Sequence, residues 1–296
     1  MRLILSRKGF DSSAGGCPSP IFPDGSLYAL PIPDANSGIR YGDLYFGDHS
    51  IGRLVEDLTR GKVTTHCGAH LDPDMHADAL PRQRGWKPLL GQTGAAQGHL
   101  RRQEVGVGDL FLFFGLFRSV EQVDGRWRFV RNAPARHMLW GWLSIGDILK
   151  IDELAAGDMP WARYHPHFAV GPDAANTLYC AGKSLRLKGR TGRLPAAGIF
   201  PQQAPALALT HPDSHKPTAW RLPHFFYPQP GRTPLSYHSK LERWSMDLEQ
   251  GAGDHCRLQC AARGQEFVLN ADEYPEIAPW IAGLIRTYGS PGNARQ

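Results

Sequence analysis

The chain has 296 residues and a formal charge of +5, with 42% hydrophobic and 21% charged residues. This is the composition of an ordinary globular protein with a sizeable core, and it excludes a low-complexity or disordered chain. No apolar run approaches the roughly 20 residues of a membrane-spanning helix, and the positive charge permits an anionic partner such as nucleic acid.

Five cysteines form no CxxC pair, which excludes a four-cysteine zinc site. The odd number of thiols predicts free cysteines, and the apolar stretch at residues 3–5 is too short for a signal peptide. We therefore expect a cytoplasmic protein without membrane association and without a tightly bound structural zinc ion.

The first elements in chain order are a strand at residues 2–5 and a polar loop at 6–16. Five prolines between residues 17 and 40 exclude a helix there, and Asp24-Gly25 predicts a turn. Ser50 is a suitable cap for a short helix over residues 51–58. The amino-terminal third is thus predicted to consist mainly of ordered loops.

The middle of the chain, about residues 105–150, is predicted to be a β-meander. Its strands are expected at 110–120, 126–130 and 137–145, with a hairpin turn at Asp124-Gly125 and an end of the third strand at Gly146. Further strands are expected at 177–181, 206–210 and 266–269.

Near the carboxyl end, apolar residues at helical spacing predict a helix with Pro275 in its first turn. There is no internal repeat and no clear linker. We therefore predict a single α+β domain over residues 1–296, with a β-rich core, long loops and a carboxyl-terminal helix.

The loop that follows the first strand is the first candidate site. Glycine, serine and two cations directly after a strand can cradle an anion, so Arg7, Lys8, Ser12 and Ser13 are predicted to bind phosphate. Asp11 could act as a base or orient a sugar hydroxyl. The competing interpretation is a turn with solvated charges, and the spacing leaves the two interpretations equally supported.

A second candidate is the segment at residues 66–76. If Pro73 keeps this segment extended, His70, Asp72 and Asp74 share one face. An imidazole with two carboxylates suits either acid–base chemistry or a divalent metal ion. A turn in which the aspartates cap backbone amides is the structural alternative. We favour ligand binding or acid–base work by His70 and Asp72 without a metal, and expect at most a weakly bound divalent ion.

The remaining candidates are glutamines and histidines in other loops. Gln92, Gln97 and His99 lie in a glycine-punctuated stretch that is interpreted as a loop with a helical turn, and glutamine amides can read a base edge. Glu266 precedes an apolar strand and could supply a carboxylate. His165 and His167 are predicted to bind ligand, and His238 follows Ser236 as a candidate base. The sites at His165, His167, His238 and Glu266 are each more often structural when taken alone, whereas for the glutamine stretch the sequence decides between a binding loop and a plain loop in neither direction.

Several of these stretches together resemble the nucleotide modification associated domain 3 family. They are SRKGFDSSAGG, PSPIFPDG, LPIP, HLDPD, GQTGAAQGHL, GDLFLFFGLFR, GWLSIGD, HPH, LSYH and GQEFV, and they extend from residue 1 to about 280. The polar positions of these motifs are Arg7, Lys8, Asp11, Ser12, His70, Asp72, Asp74, Gln92, Gln97, His99, His165, His167, His238 and Glu266. The resemblance implies a setting in bacterial and phage systems of DNA hypermodification, with other modification enzymes as partners.

A second likeness concerns only the central hairpin, which is similar to the glycine-aspartate and strand pattern of PUA-like barrels. Two functional hypotheses follow. One is an enzyme that modifies a nucleotide or a base in DNA, with phosphate on the amino-terminal loop and histidine and aspartate as acid–base groups. The alternative is a non-catalytic PUA-like reader of a modified base. The number of histidines favours the enzyme, and the sequence identifies no cofactor.

Overall fold

A mixed ten-stranded sheet forms the centre of the computed structural model, which describes residues 1–189, 191–247, 254–262 and 264–292. Three helices and smaller sheets surround it. In chain order the strands and helices are β1 (Arg2–Arg7), β2 (Ser19–Ile21), β3 (Ile32–Pro33), β4 (Tyr45–Phe46), β5 (His49–Ser50), α1 (Ile51–Leu58), β6 (Ala69–His70), β7 (Leu89–Gln92), α2 (Gly94–Arg102), β8 (Leu110–Val123), β9 (Arg126–Phe129), β10 (Arg136–Lys150), β11 (Thr177–Ala181), β12 (Ala197–Ile199), β13 (Ala219–Pro223), β14 (Trp244–Met246), β15 (His255–Gln259), β16 (Glu266–Asn270), α3 (Ile277–Tyr288) and β17 (Ser290–Pro291). This architecture confirms the predicted α+β class with a carboxyl-terminal helix.

The longest path through the sheet runs β16-β1-β8-β10-β11-β7. β1 is parallel to β8 and antiparallel to β16. The inner strands are apolar on both faces, and Leu110 to Phe114 in β8 are fully buried. Such a run is typical of a strand that is covered on both sides. The centre of the sheet therefore provides a rigid floor, and the loops at the strand ends are available to form a site.

The two edges of this path approach each other without closing. The Gln92 amide in β7 donates a hydrogen bond to Glu266 Oε1 in β16 over 2.7 Å. No backbone pairing joins β7 to β16 within the described residues, and helix α2 packs against β16. The sheet is consequently not a closed barrel. The PUA-like barrel considered from the sequence is not formed, because side chains and helix α2, rather than backbone pairing, lie between β7 and β16.

Local signals in the sequence predicted several elements to within one or two residues. Helix α1 begins after Ser50, whose Oγ accepts a hydrogen bond from the Arg53 amide. The β8–β9 hairpin turns at Asp124-Gly125, where both residues have positive φ as a tight two-residue turn requires. Helix α3 begins at Ile277, two residues after Pro275.

Other elements differ from the sequence-based expectation. β10 continues past Gly146 through a bulge and exchanges β8 for β11 as its partner. Gly146 permits this because a Cβ there would lie 2.4 Å from Gly182 Cα. The strand expected at residues 206–210 is wrong: this stretch begins inside a short 3-10 helix, Pro205–Leu207, and then makes only isolated bridges. The glycine-punctuated loop at 91–100 is a strand followed by α2.

Among the described residues, no helix is both long enough and apolar enough to span a membrane. The five cysteines are all free thiols.

Candidate functional site

A cavity of about 780 Å³ lies where the edges of the curved sheet approach each other. Its walls come from the end of β1, the loop after it, the segment after β6, the end of β7, helix α2 and the residues before β16. The volume is within the usual range for sites that bind small molecules. Eleven residues predicted from the sequence line it: Arg7, Lys8, Asp11, Ser12, Ser13, His70, Asp72, Gln92, His99, His167 and Glu266.

Four other polar motif residues lie outside the cavity lining: Asp74, Gln97, His165 and His238. Gln97 is buried and accepts a hydrogen bond from the Tyr179 hydroxyl. His238 is fully buried, with Nδ1 against the Ser236 carbonyl and Nε2 accepting the Ala261 amide. Both nitrogens of His238 are therefore engaged by the backbone, and this placement gives no support to a role as a base.

Asp74 does not share a face with His70 and Asp72, which corrects the expectation of an extended segment. The chain turns instead, because the amides of Leu71 and Asp72 each bond to the carbonyl two residues earlier. Asp74 then pairs with Leu89 through its backbone, and its carboxylate accepts two hydrogen bonds from Arg82. Asp74 anchors the segment to the core rather than facing the cavity.

The buried carboxylate of Asp72 is surrounded by three imidazoles. Its Oδ1 accepts a hydrogen bond from the Gly91 amide over 2.6 Å and lies 3.3 Å from His165 Nε2. Its Oδ2 lies 3.7 Å from His167 Nε2 and 3.9 Å from His70 Nε2. We call Asp72, His70, His165 and His167 the Asp72 cluster.

Partners outside the cavity orient two of these histidines. His70 Nδ1 lies 2.8 Å from Asp34 Oδ2, and His167 Nδ1 lies 2.6 Å from Asn176 Oδ1. The Asn176 amide nitrogen donates to the His167 carbonyl, which fixes the orientation of that amide. A carboxylate or a carbonyl oxygen only accepts hydrogen bonds, so both imidazoles carry their proton on Nδ1 when neutral.

Strand pairing and one glycine assemble the Asp72 cluster. β3 pairs with β6 so that Ile32 is opposite His70, which brings the following Asp34 to the imidazole. His165 and His167 flank Pro166 at the start of a short 3-10 helix that lies against β7. A Cβ on Gly91 would lie 2.2 Å from the His167 ring, so only glycine permits this approach.

The Asp72 cluster lowers the pKa of its carboxyl group. Burial raises the pKa of Asp72, but hydrogen bonding and charge from His165, followed by the charge of His167, outweigh burial and bring it below its usual range. Burial has the opposite consequence for the imidazole of His167 and lowers its pKa. At neutral pH the cavity therefore contains an ionised carboxylate, and burial disfavours the charged form of the His167 imidazole beside it.

A second charged group faces the cavity from the edge of the sheet. Lys8 Nζ lies 3.3 Å from Glu266 Oε1, and these side chains are 9% and 0% exposed. Glu266 Oε1 also accepts hydrogen bonds from Ser6 and Gln92, whereas Glu266 Oε2 is buried and has no hydrogen-bond partner among the described residues. Lys8 is thus part of a buried ion pair, which its predicted place in a polar loop did not indicate.

The loop after β1 has features of both interpretations drawn from the sequence, an anion-binding loop and a local turn. Asp11 Oδ1 accepts hydrogen bonds from the Ser13 amide, the Ser13 hydroxyl and the Ala14 amide, so this oxygen closes a local turn. Arg7 donates to the carbonyls of Ala261 and Ala262 at the cavity wall, and no carboxylate of the described residues forms an ion pair with it. The loop therefore presents exposed serines and one cationic group to the cavity.

Sequence reasoning missed Tyr237 as a cavity residue. Its side chain lines the cavity, 54% of the residue is exposed, and its backbone has a φ of 65°. The ring lies 4.6 Å from the His99 ring, centroid to centroid. A tyrosine at positive φ is uncommon and is found most often at functional sites. His99 Nε2 lies 3.1 Å from Ser236 Oγ, so the histidine in contact with the Ser236 hydroxyl is His99, whereas His238 contacts only the Ser236 carbonyl.

Comparison with known proteins gives one finding. The family described as nucleotide modification associated domain 3 matches residues 2–270, which covers most of the chain. No curated protein and no solved structure matches. The family description gives a setting in nucleotide modification and names no specific activity.

Proposed function

The chain belongs to the nucleotide modification associated domain 3 family, and from this premise we propose that it modifies a nucleotide or a base in DNA. The cavity is the proposed active site. The observation that carries the proposal is that one cavity of about 780 Å³ is lined by cationic groups, by His70, Asp72 and His167 of the Asp72 cluster, and by an exposed aromatic ring.

Two parts of the cavity suit two parts of a nucleotide, and a third part supplies ionisable groups. Arg7 and the exposed serines of the amino-terminal loop suit a phosphate, since guanidinium groups and serine hydroxyls are hydrogen-bond donors for its oxygens. Tyr237 suits a base, because an exposed ring stacks on any nucleobase. The Asp72 cluster supplies ionisable groups beside them, as proton transfer near neutral pH requires.

An enzyme is favoured over a reader of modified bases by the nature of this cluster. Recognition of a base by a reader needs stacking and a few hydrogen bonds, whereas the cavity buries an ionised carboxylate among three imidazoles. Burying an ionised group is costly, and such groups are concentrated at catalytic sites. A reader would leave the nucleosides of the cell unchanged when the chain is removed, and an enzyme would not.

We further propose that the protein acts in the cytoplasm together with other DNA-modification enzymes. Five free thiols are consistent with a reducing compartment, and a net charge of +5 favours an anionic partner such as DNA. Co-purification with the products of neighbouring modification genes tests this partnership.

Replacement of Tyr237 by alanine is expected to weaken nucleotide binding by about 5- to 150-fold, since stacking on a base contributes about 1–3 kcal/mol. Tyr237→Phe keeps the ring and is the matched control, with binding expected within about twofold of wild type. Backbone strain is similar in both variants, because each retains a side chain at the same positive φ.

The measurement is fluorescence titration of the wild type and both variants with deoxynucleoside monophosphates and a short single-stranded DNA. Equal affinity of all three proteins would contradict a stacking role for Tyr237. Turnover itself is tested by mass spectrometry of nucleosides from cells with and without the gene. We expect a modified nucleoside that disappears with the gene.

A further inference from the structure

The Asp72 cluster contains an arrangement of acceptors that proton transfer alone does not explain. His70 and His167 each donate their Nδ1 proton to a fixed acceptor outside the cavity. When both rings are neutral their Nε2 atoms are acceptors, and these atoms lie 3.9 and 3.7 Å from Asp72 Oδ2, which is itself an acceptor. In that state three acceptor atoms face one another, an arrangement that a bound cation would stabilise.

We propose that His70, Asp72 and His167 bind one divalent transition-metal ion. Their three ligand atoms all lie within 4.8 Å of one another. Two ligand atoms held about 2.1 Å from one ion lie about 3–4 Å apart, so small rotations of the rings complete the site. Two imidazoles with one carboxylate favour ions such as Mn²⁺, Fe²⁺, Co²⁺ or Zn²⁺ over Mg²⁺ and Ca²⁺, which prefer oxygen ligands.

The surroundings of the three ligands are those of a metal site. Metal-binding histidines usually donate their other ring nitrogen to a carboxylate or a carbonyl, as His70 does to Asp34 and His167 does to Asn176. Asp72 Oδ1 is held by the Gly91 amide, which leaves Oδ2 available for the ion. All three ligands line the cavity, so the ion would keep positions open to a substrate.

The charge of the cavity provides independent support. Asp11, Asp72 and Glu266 place three carboxylates on its walls against the two cations Arg7 and Lys8. Without an ion this balance is negative and opposes an anionic nucleotide. A divalent ion at Asp72 makes it positive, so the ion also explains how such a cavity accepts a phosphate-bearing ligand.

The metal site lies in the same cavity as the proposed function, but its test measures metal binding and requires no enzymatic activity. Tag-free protein is stripped with EDTA and titrated with Co²⁺ by calorimetry, and the visible spectrum of bound Co²⁺ is recorded. We expect one ion per chain. His70→Ala and His167→Ala are each expected to weaken binding by about 100-fold or more, and Asp34→Asn by about tenfold through the orientation of His70.

His66→Ala is the matched control, because His66 lies in the same segment but is exposed and outside the cavity. Its affinity is expected to equal that of the wild type. Circular dichroism verifies that each variant is folded. If His167→Ala unfolds, the metal affinity of His70→Ala still tests the site, because His70 is partly exposed. An absence of stoichiometric binding, or equal affinity in the wild type and His70→Ala, would overturn the metal site. Such a failure leaves nucleotide binding and modification to be judged by their own measurements.

Discussion

Arg82→Ala is expected to lower the free energy of unfolding by about 3–5 kcal/mol, because it leaves the buried carboxylate of Asp74 without its cation. Both guanidinium nitrogens of Arg82 bond to the two Asp74 oxygens over 2.7 Å. The Asp74 residue is 0% exposed, and the hydroxyl of Tyr164 and the indole of Trp86 also donate to its Oδ2. Neither of these neutral donors can replace the lost charge.

The measurement is urea unfolding at neutral pH, followed by tryptophan fluorescence. Arg84→Ala is the control, since Arg84 is exposed and its loss is expected to change stability by less than about 0.5 kcal/mol. Adding Asp74→Asn to Arg82→Ala removes the buried charge and should recover part of the loss. A decrease below about 1 kcal/mol in the Arg82→Ala protein would show that this ion pair is not required for stability.

Stability is also expected to fall steeply in mild acid, by about 2.5 kcal/mol per pH unit near pH 5. Two buried histidines are responsible. Burial, with a contribution from the charge of Arg7, lowers the pKa of His137 to about 3. Burial also lowers the pKa of His238 to about 4. Both are neutral in the folded protein at pH 5, whereas their counterparts in the unfolded chain, with pKa values of about 6.5, are protonated.

The sign follows from proton uptake. Because the folded pKa lies below the unfolded one, the unfolded state binds more protons once the pH falls below about 6.5, and stability is lost until the folded groups titrate. Urea unfolding at pH 7, 6 and 5 measures the slope. His137→Gln retains an acceptor for the Trp220 indole and is expected to reduce the slope by about 1.3 kcal/mol per pH unit. Equal stability at pH 7 and pH 5 would contradict this account.

The sequence predicts those features that local signals determine. The Ser50 cap, the Asp124-Gly125 turn and the apolar spacing of α3 are each encoded within a few residues, and the structure confirms them. The sequence predicts only a loop with a helical turn where helix α2 forms, because Gly94 and Gly98 weaken the helical pattern. Its formation depends on packing against β16, which no local pattern contains.

The site shows the same division between local and tertiary information. His70 and Asp72 are neighbours in a recognisable motif, but His167 joins them only through the packing of its 3-10 helix against Gly91. Asp74 would share a face with them only in an extended chain. In the folded protein the chain turns, and Asp74 forms an ion pair with Arg82 instead. Spacing therefore identified the segment, whereas tertiary contacts determine which of its side chains face the cavity.

The central claim, that the cavity modifies a nucleotide or a base in DNA, is tested most directly in cells that carry the gene. Their DNA is digested and its nucleosides are quantified by mass spectrometry for the wild type, Asp72→Asn and His66→Ala at equal protein abundance. The account predicts that Asp72→Asn lowers the amount of the modified nucleoside by at least about 100-fold, because the proposed active site loses its ionised carboxylate. It predicts that His66→Ala leaves this amount unchanged. A nucleoside profile in Asp72→Asn cells equal to that of the wild type would contradict the claim.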